Sequence, residues 1–134
     1  MRSRTPAPAG QALVEFALVL PLLVVVSLGL LQVVLYAHAF DVLLSSVQEG
    51  ARLAAEDGRV VDDGYVRAQA LVNAGLGSAL DSFQLEASMD DDVVAMRADA
   101  SLRPILAMPL ARGLPLHAEA RVVRERFRPT RGGA

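Results

Sequence analysis

The chain has 134 residues, room for one small domain and an anchor. It is 53% hydrophobic with only 4% aromatics and a mean hydropathy of +0.37. Its apolar content is therefore aliphatic, which suits a lipid-facing helix better than a large aromatic core. A formal charge of −2 argues against nucleic acid as the main partner. The absence of Cys excludes a disulfide framework, a thiolate metal site and a Cys nucleophile.

Met1 to Gly10 carries Arg2, Arg4, Pro6 and Pro8 and reads as a short, basic, non-helical stretch, because each Pro biases the residue before it away from the α region. From Phe16 to Phe40 there are 25 consecutive residues without Asp, Glu, Lys or Arg. About 20 such residues span a bilayer core as a helix. The run exceeds the roughly 7–15 apolar residues of a secretory signal, and a domain of this size could hardly surround it as a buried helix. Arg2 and Arg4 precede the run, and Asp41 and Glu49 follow it before the first Arg, Arg52. That bias keeps the N-terminus in the cytoplasm and the C-terminal bulk outside.

Val42, Leu43, Val47, Ala51, Leu53 and Ala54 continue at three- and four-residue intervals, so the spacing predicts one helix from about Gln11 to Glu56, weakened only at Gly50. Asp57-Gly58 supplies a stop. Asp62-Asp63-Gly64 reads as a turn into a second helix, on which Tyr65, Ala68, Val72, Leu76 and Leu80 share a face, with Gly75 and Gly77 near its end. Beyond residue 80 the period becomes two. Phe83, Leu85, Ala87 and Met89 alternate with polar residues, Asp90-Asp91-Asp92 makes a turn, and Val94, Met96, Ala98, Ala100 and Leu102 alternate again. After a Pro- and Gly-marked loop, Leu116, Ala118, Ala120 and Val122 form a third amphipathic strand. RFRPTRGGA reads as a disordered tail.

The expected fold is therefore α+β: a long N-terminal transmembrane helix continuing outside the membrane, a short second helix and a small three-stranded antiparallel sheet. The expected divisions are a leader over 1–10, a membrane helix over 11–40, its extension over 41–57, a small α+β domain over 58–128 and a tail over 129–134.

Gly10-Gln11-Ala12-Leu13-Val14-Glu15-Phe16 runs directly into the apolar segment. A small residue, a Glu five positions later and an aromatic at the mouth of a membrane helix resemble the processing site of type IV prepilins. The wider stretch, GQALVEFALVLPLLVVVSLGLLQ followed by QEGARLAAEDG, is similar to the TadE-like minor pilins, or pseudopilins, of tight-adherence (Flp) pilus systems. The resemblance covers residues 10–58 and extends loosely to the strands and PILAMPL loop of 80–125. It implies that a membrane prepilin peptidase cuts between Gly10 and Gln11. Losing Arg2 and Arg4 would leave 11 basic against 15 acidic side chains, a formal charge of −4. It further implies that Glu15, with Phe16 beside it, registers the helix against other pilin-like subunits, the carboxylate pairing with a neighbour's new amino terminus. A carboxylate at the edge of an apolar run needs such a partner, and an idle headgroup-level Glu is the plainer alternative.

Pro21 removes a helix hydrogen bond and is expected to kink or loosen the membrane helix. Ser27, Gly29 and Gln32 suit a helix–helix contact within the bilayer. Ala37-His38-Ala39 has the small-x-small form of a signal peptidase site, whose use would release a secreted domain starting at Phe40. Asp90 to Asp92 lack the spaced ligands of a calcium loop and read as a solvated turn. His38 and His117 read as surface histidines. Arg121, Arg124, Arg126, Arg128 and Arg131 form a basic stretch that could meet an anionic surface or the six acids of residues 41–63 on an adjacent subunit. No catalytic, cofactor or metal site is expected, and the partners are the bilayer, the peptidase, other subunits and the assembly platform. The place is the bacterial cytoplasmic membrane. The alternative function is a single-pass membrane-anchored extracytoplasmic binding module unrelated to pili.

Overall fold

A computed structural model describes residues 8–105 and 113–124. A single helix, α1, runs unbroken from Pro8 to Ala55, 48 residues and about 72 Å at 1.5 Å per residue. It begins earlier than the sequence suggests: Pro8 to Gly10 are already helical, because a Pro at the first helical position needs no N–H and has a pre-set φ. The helix therefore runs straight through the expected leader boundary at Gly10. The tail and the 106–112 part of the loop lie outside the described residues.

Gly58, at φ 78, turns the chain after α1. The second helix, α2, spans Val61–Gly75, so Asp62 and Asp63 belong to its first turn and do not form a turn before it. Acidic side chains are favourable there, where helical N–H groups point outward. Asp63 Oδ2 also accepts a long hydrogen bond from the Val60 N–H at 3.5 Å, while Val60 has no side-chain acceptor to return. Residues Leu76 and Leu80, expected on this helix, fall beyond it. Leu76 is the cap residue, Gly77–Ala79 form a 3-10 turn, and Leu80 opens the first strand.

Strands β1 (Leu80–Asp90), β2 (Val93–Leu102) and β3 (Leu114–Val123) make an antiparallel sheet in the order β1-β2-β3. The β1–β2 connection turns at Asp91, whose φ of 51 is one that Asp tolerates better than most residues. Leu80 opposes Leu102 but Ser82 opposes Ser101. Asp81 is the extra residue of that bulge, and it meets the Arg103 guanidinium at 2.9 Å. The period-two reading is borne out on β2 and β3, where Val94, Met96, Ala98, Ala100, Leu102, Leu116, Ala118 and Ala120 are all buried. On the edge strand β1 the same face is only partly covered, and Met89 is 44% exposed.

Both helices lie on that one face of the sheet. α1 covers β2 and β3, and α2 reaches β1. The α1 stripe Ala39, Leu43, Val47, Ala51 and Ala54, spaced by three and four, is buried. Four of the eight buried positions on β2 and β3 are Ala (Ala98, Ala100, Ala118 and Ala120), which lets the helix sit close against the sheet. α2 returns antiparallel along α1: its Gly64 lies against Gly50 and Ala54, and its Gly75 against Val42. A Cβ added at Gly50 would lie 2.6 Å from the Gly64 carbonyl oxygen, 2.7 Å from the Ala68 Cβ and 2.8 Å from the Met96 sulfur. Gly50, a weak helix former, thus lets two helices and the sheet converge.

Candidate functional site

The candidate site is the N-terminal stretch of α1 that the other described residues leave bare. The most apolar 18-residue window of the helix has mean hydropathy 2.7 and is 0% buried. Leaving a side chain such as Leu or Val in water forgoes about 1.5–3 kcal/mol. Here Leu13, Val14, Phe16, Leu18 and many that follow are exposed. By length and composition this helix can cross a membrane.

Gly10, Gln11, Glu15, Phe16 and Pro21 all lie on this exposed stretch. Nothing lies within 4 Å of a Cβ added at Gly10. Gln11 and Glu15 are four apart, so they share a helix face about one turn from each other. Among the described residues no hydrogen bond or ion pair engages Glu15. Pro21 sits inside the helix, where its missing N–H leaves the Ala17 carbonyl without its usual intrahelical donor. The helical assignment continues through it.

The other singled-out residues go elsewhere. Ala39 is 2% exposed, within the core beneath the sheet, and Tyr36 donates to the Pro115 carbonyl at 2.9 Å. The Ala37-His38-Ala39 stretch is thus built into the folded head. Gln32 does not stand on a free membrane-facing surface either: it lines a groove at the base of the head. His117 Nδ1 lies 2.6 Å from Asp99 Oδ1 on the wet sheet face. Arg121 pairs with Glu119 at 2.6 Å. Arg124 reaches the Arg59 carbonyl at 3.2 Å, and its own N–H donates to the Asp92 carbonyl at 2.6 Å. These two cations are engaged within their own chain, whereas Arg126, Arg128 and Arg131 lie outside the described residues. Among the described residues no group of three or more His, Asp or Glu side chains is placed to hold a metal.

Sequence reasoning missed the engagement of α1 residues 32–39 with the base of the sheet. Only the Tyr in an otherwise aliphatic run hinted at it, since a phenol needs a polar partner.

The head itself therefore offers packing, and the bare helix is long and apolar enough to cross a membrane. Residues 10–52 match the family model described as TadE-like protein, the family that the junction and its apolar run resemble. No curated protein and no solved structure matches the chain.

Proposed function

From a TadE-like segment over residues 10–52, we propose that this chain is a minor pilin, or pseudopilin, that takes part in assembling a tight-adherence (Flp) pilus. It is anchored in the bacterial cytoplasmic membrane by α1, with its N-terminus in the cytoplasm and its head outside. The observation that carries this reading is the bare stretch of α1, without charge from Phe16 onward to Phe40, joined to a Gly10–Glu15 junction that is exposed among the described residues.

A prepilin peptidase removes residues 1–10. Gly10 suits that step because a residue without a side chain lets the peptidase approach the scissile backbone. Cleavage frees the Gln11 amino group, a cation beside an apolar helix. Glu15 then acts in registration: an isolated carboxylate at the membrane edge is costly, and pairing with the amino terminus of a neighbouring subunit relieves that cost. Phe16 packs beside that pair. Pro21 loosens one turn of the helix, which eases repacking among other pilin-like helices. The protein is the peptidase's substrate and has no catalytic role of its own.

The test is the N-terminal residue of membrane-extracted protein, made with and without a prepilin peptidase. A peptidase-dependent start at Gln11 that disappears in Gly10→Val supports the proposal. An intact Met1 beside a competent peptidase leaves a membrane-anchored binding module, and a start at Phe40 means a secreted domain.

A further inference from the structure

The direction of each element divides the head into a base and a tip. α1 enters the head at Gln32–Ala39 and leaves it near Ala55. At the entry end lie Leu102 at the end of β2, Arg103 and Ile105 just beyond it, and Leu114 and Pro115 at the start of β3. At the far end lie the β1–β2 turn and the α1–α2 connection, brought together by Arg124 through Asp92 and Arg59. The tip is rich in acids: Glu56, Asp57, Asp62, Asp63, Asp90, Asp91 and Asp92. The base is apolar, with Ile105 47% exposed, and carries Arg103 and His38.

A groove of about 270 Å³ opens at the base, lined by Gln32, Leu35, His38, Leu102, Arg103 and Ile105 among others. A second recess of about 280 Å³ lies between Gln32, Val33, Tyr36 and Leu114. Gln32 borders both, and its Oε1 is buried with no hydrogen-bond partner among the described residues. A buried acceptor of this kind costs on the order of 1–3 kcal/mol unless a donor arrives.

The length of α1 places this groove. From Glu15, at one membrane edge, to Leu35 the helix rises about 30 Å, the thickness of the hydrocarbon core it would cross. When Glu15 lies at one membrane surface, Leu35 lies at the other, level with the groove and with no length left for a stalk. The base is thus continuous with the membrane-crossing surface.

We propose that the base of the head is a phospholipid-seating surface, so that the head rests on the bilayer it is anchored in. The groove receives the headgroup and glycerol region of a phospholipid from the adjoining leaflet. Leu35, Leu102 and Ile105 cover the first acyl methylenes. Arg103 is paired with Asp81 through Nε, which leaves its terminal guanidinium N–H groups to donate to the phosphate. Gln32 Oε1, closed off in the structure, comes into the groove by rotation of its side chain and there accepts from an ammonium or hydroxyl of the headgroup. The acidic tip is held away from an anionic membrane surface. The inference rests on the membrane-anchored reading but not on processing or pilus assembly.

The chain has no Cys, so single-Cys variants can be labelled with a fluorophore without background. Leu22→Cys reports mid-helix, Ile105→Cys the base and Asp91→Cys the tip, each at an exposed position. The full chain would be reconstituted, at about one copy per vesicle, in phosphatidylethanolamine–phosphatidylglycerol membranes. Nitroxide would be placed either on the headgroups or midway along the acyl chains. The expected result is at least twofold stronger quenching at 105 from headgroup nitroxide than from chain nitroxide. Position 22 should show the reverse and position 91 neither. Chain quenching at 22 with 105 behaving like 91 would overturn the seating while the anchor stands. Absence of chain quenching at 22 would overturn both.

Discussion

A side chain at Gly50 or Gly64 has no room, because each backbone lies against the other where α1 and α2 cross. Gly64→Val is therefore expected to weaken the head by about 2–4 kcal/mol, through overpacking against backbone that cannot move aside. Hydrogen exchange of α2 amides in the detergent-solubilised chain would read this as faster opening, and unchanged protection would contradict the close crossing. By contrast, Glu49 and Arg67 meet across the same two helices at 3.9 Å with both side chains about half exposed. Glu49→Gln should change that protection by no more than about 0.5 kcal/mol, since solvent-exposed pairs contribute little. Glycine spacing, and not the visible ion pair, holds this contact in place.

At the scale of elements, α1 has two halves with different surroundings. Its outer half contributes Leu43, fully buried, to the core shared with α2 and the sheet. Leu43→Ala leaves a cavity that small neighbours cannot fill, so a loss of about 3 kcal/mol is expected. The check is amide protection in β2 and β3. At the tip, Arg124 draws β3, the β1–β2 turn and the α1–α2 connection together. Arg124→Ala removes the guanidinium bond to the Arg59 carbonyl but keeps the backbone N–H bond to Asp92, so it should raise exchange around residues 56–60 by about 1 kcal/mol of local stability while leaving the β1–β2 turn and the Leu43 region unchanged. The half-covered apolar face of β1, by comparison, makes that edge strand the least protected of the three.

For the whole molecule, the decisive fact is that the head has no core without α1. Ala39, Leu43, Val47, Ala51 and Ala54 come from the helix, and the strands and α2 close around them. A fragment of residues 58–134 should lack cooperative unfolding and expose its apolar sheet face. A fragment of residues 36–134 should show a single cooperative transition by circular dichroism. Cooperative folding of the shorter fragment would mean that the sheet and α2 are self-sufficient.

The sequence by itself determined most of the local structure. An uncharged run of 25 residues from Phe16 to Phe40 can be little else than a membrane-length helix, and strict alternation from Phe83 to Val122 picks out the strands and their inward residues. Both are short-range periodicities that burial on one face imposes directly. The resemblance of the Gly10–Glu15 stretch to a prepilin junction likewise rests on neighbouring residues, and the fold leaves both exposed on α1. Other features depended on packing between distant segments. Asp62 and Asp63 look like turn residues until the first turn of α2 gives them helical N–H groups to face. Leu76 and Leu80 fit a helical spacing, yet the chain must leave α2 at Gly75 to enter the sheet. Gly50 looks like a flaw in α1 until Gly64 is laid against it. Gln32 reads as a helix–helix contact within the bilayer and Tyr36 as part of the same apolar run, whereas the folded chain brings the start of β3 and the end of β2 down to them. Periodicity specifies which face of an element is apolar, but only the tertiary structure decided what meets that face and how far along α1 the head extends.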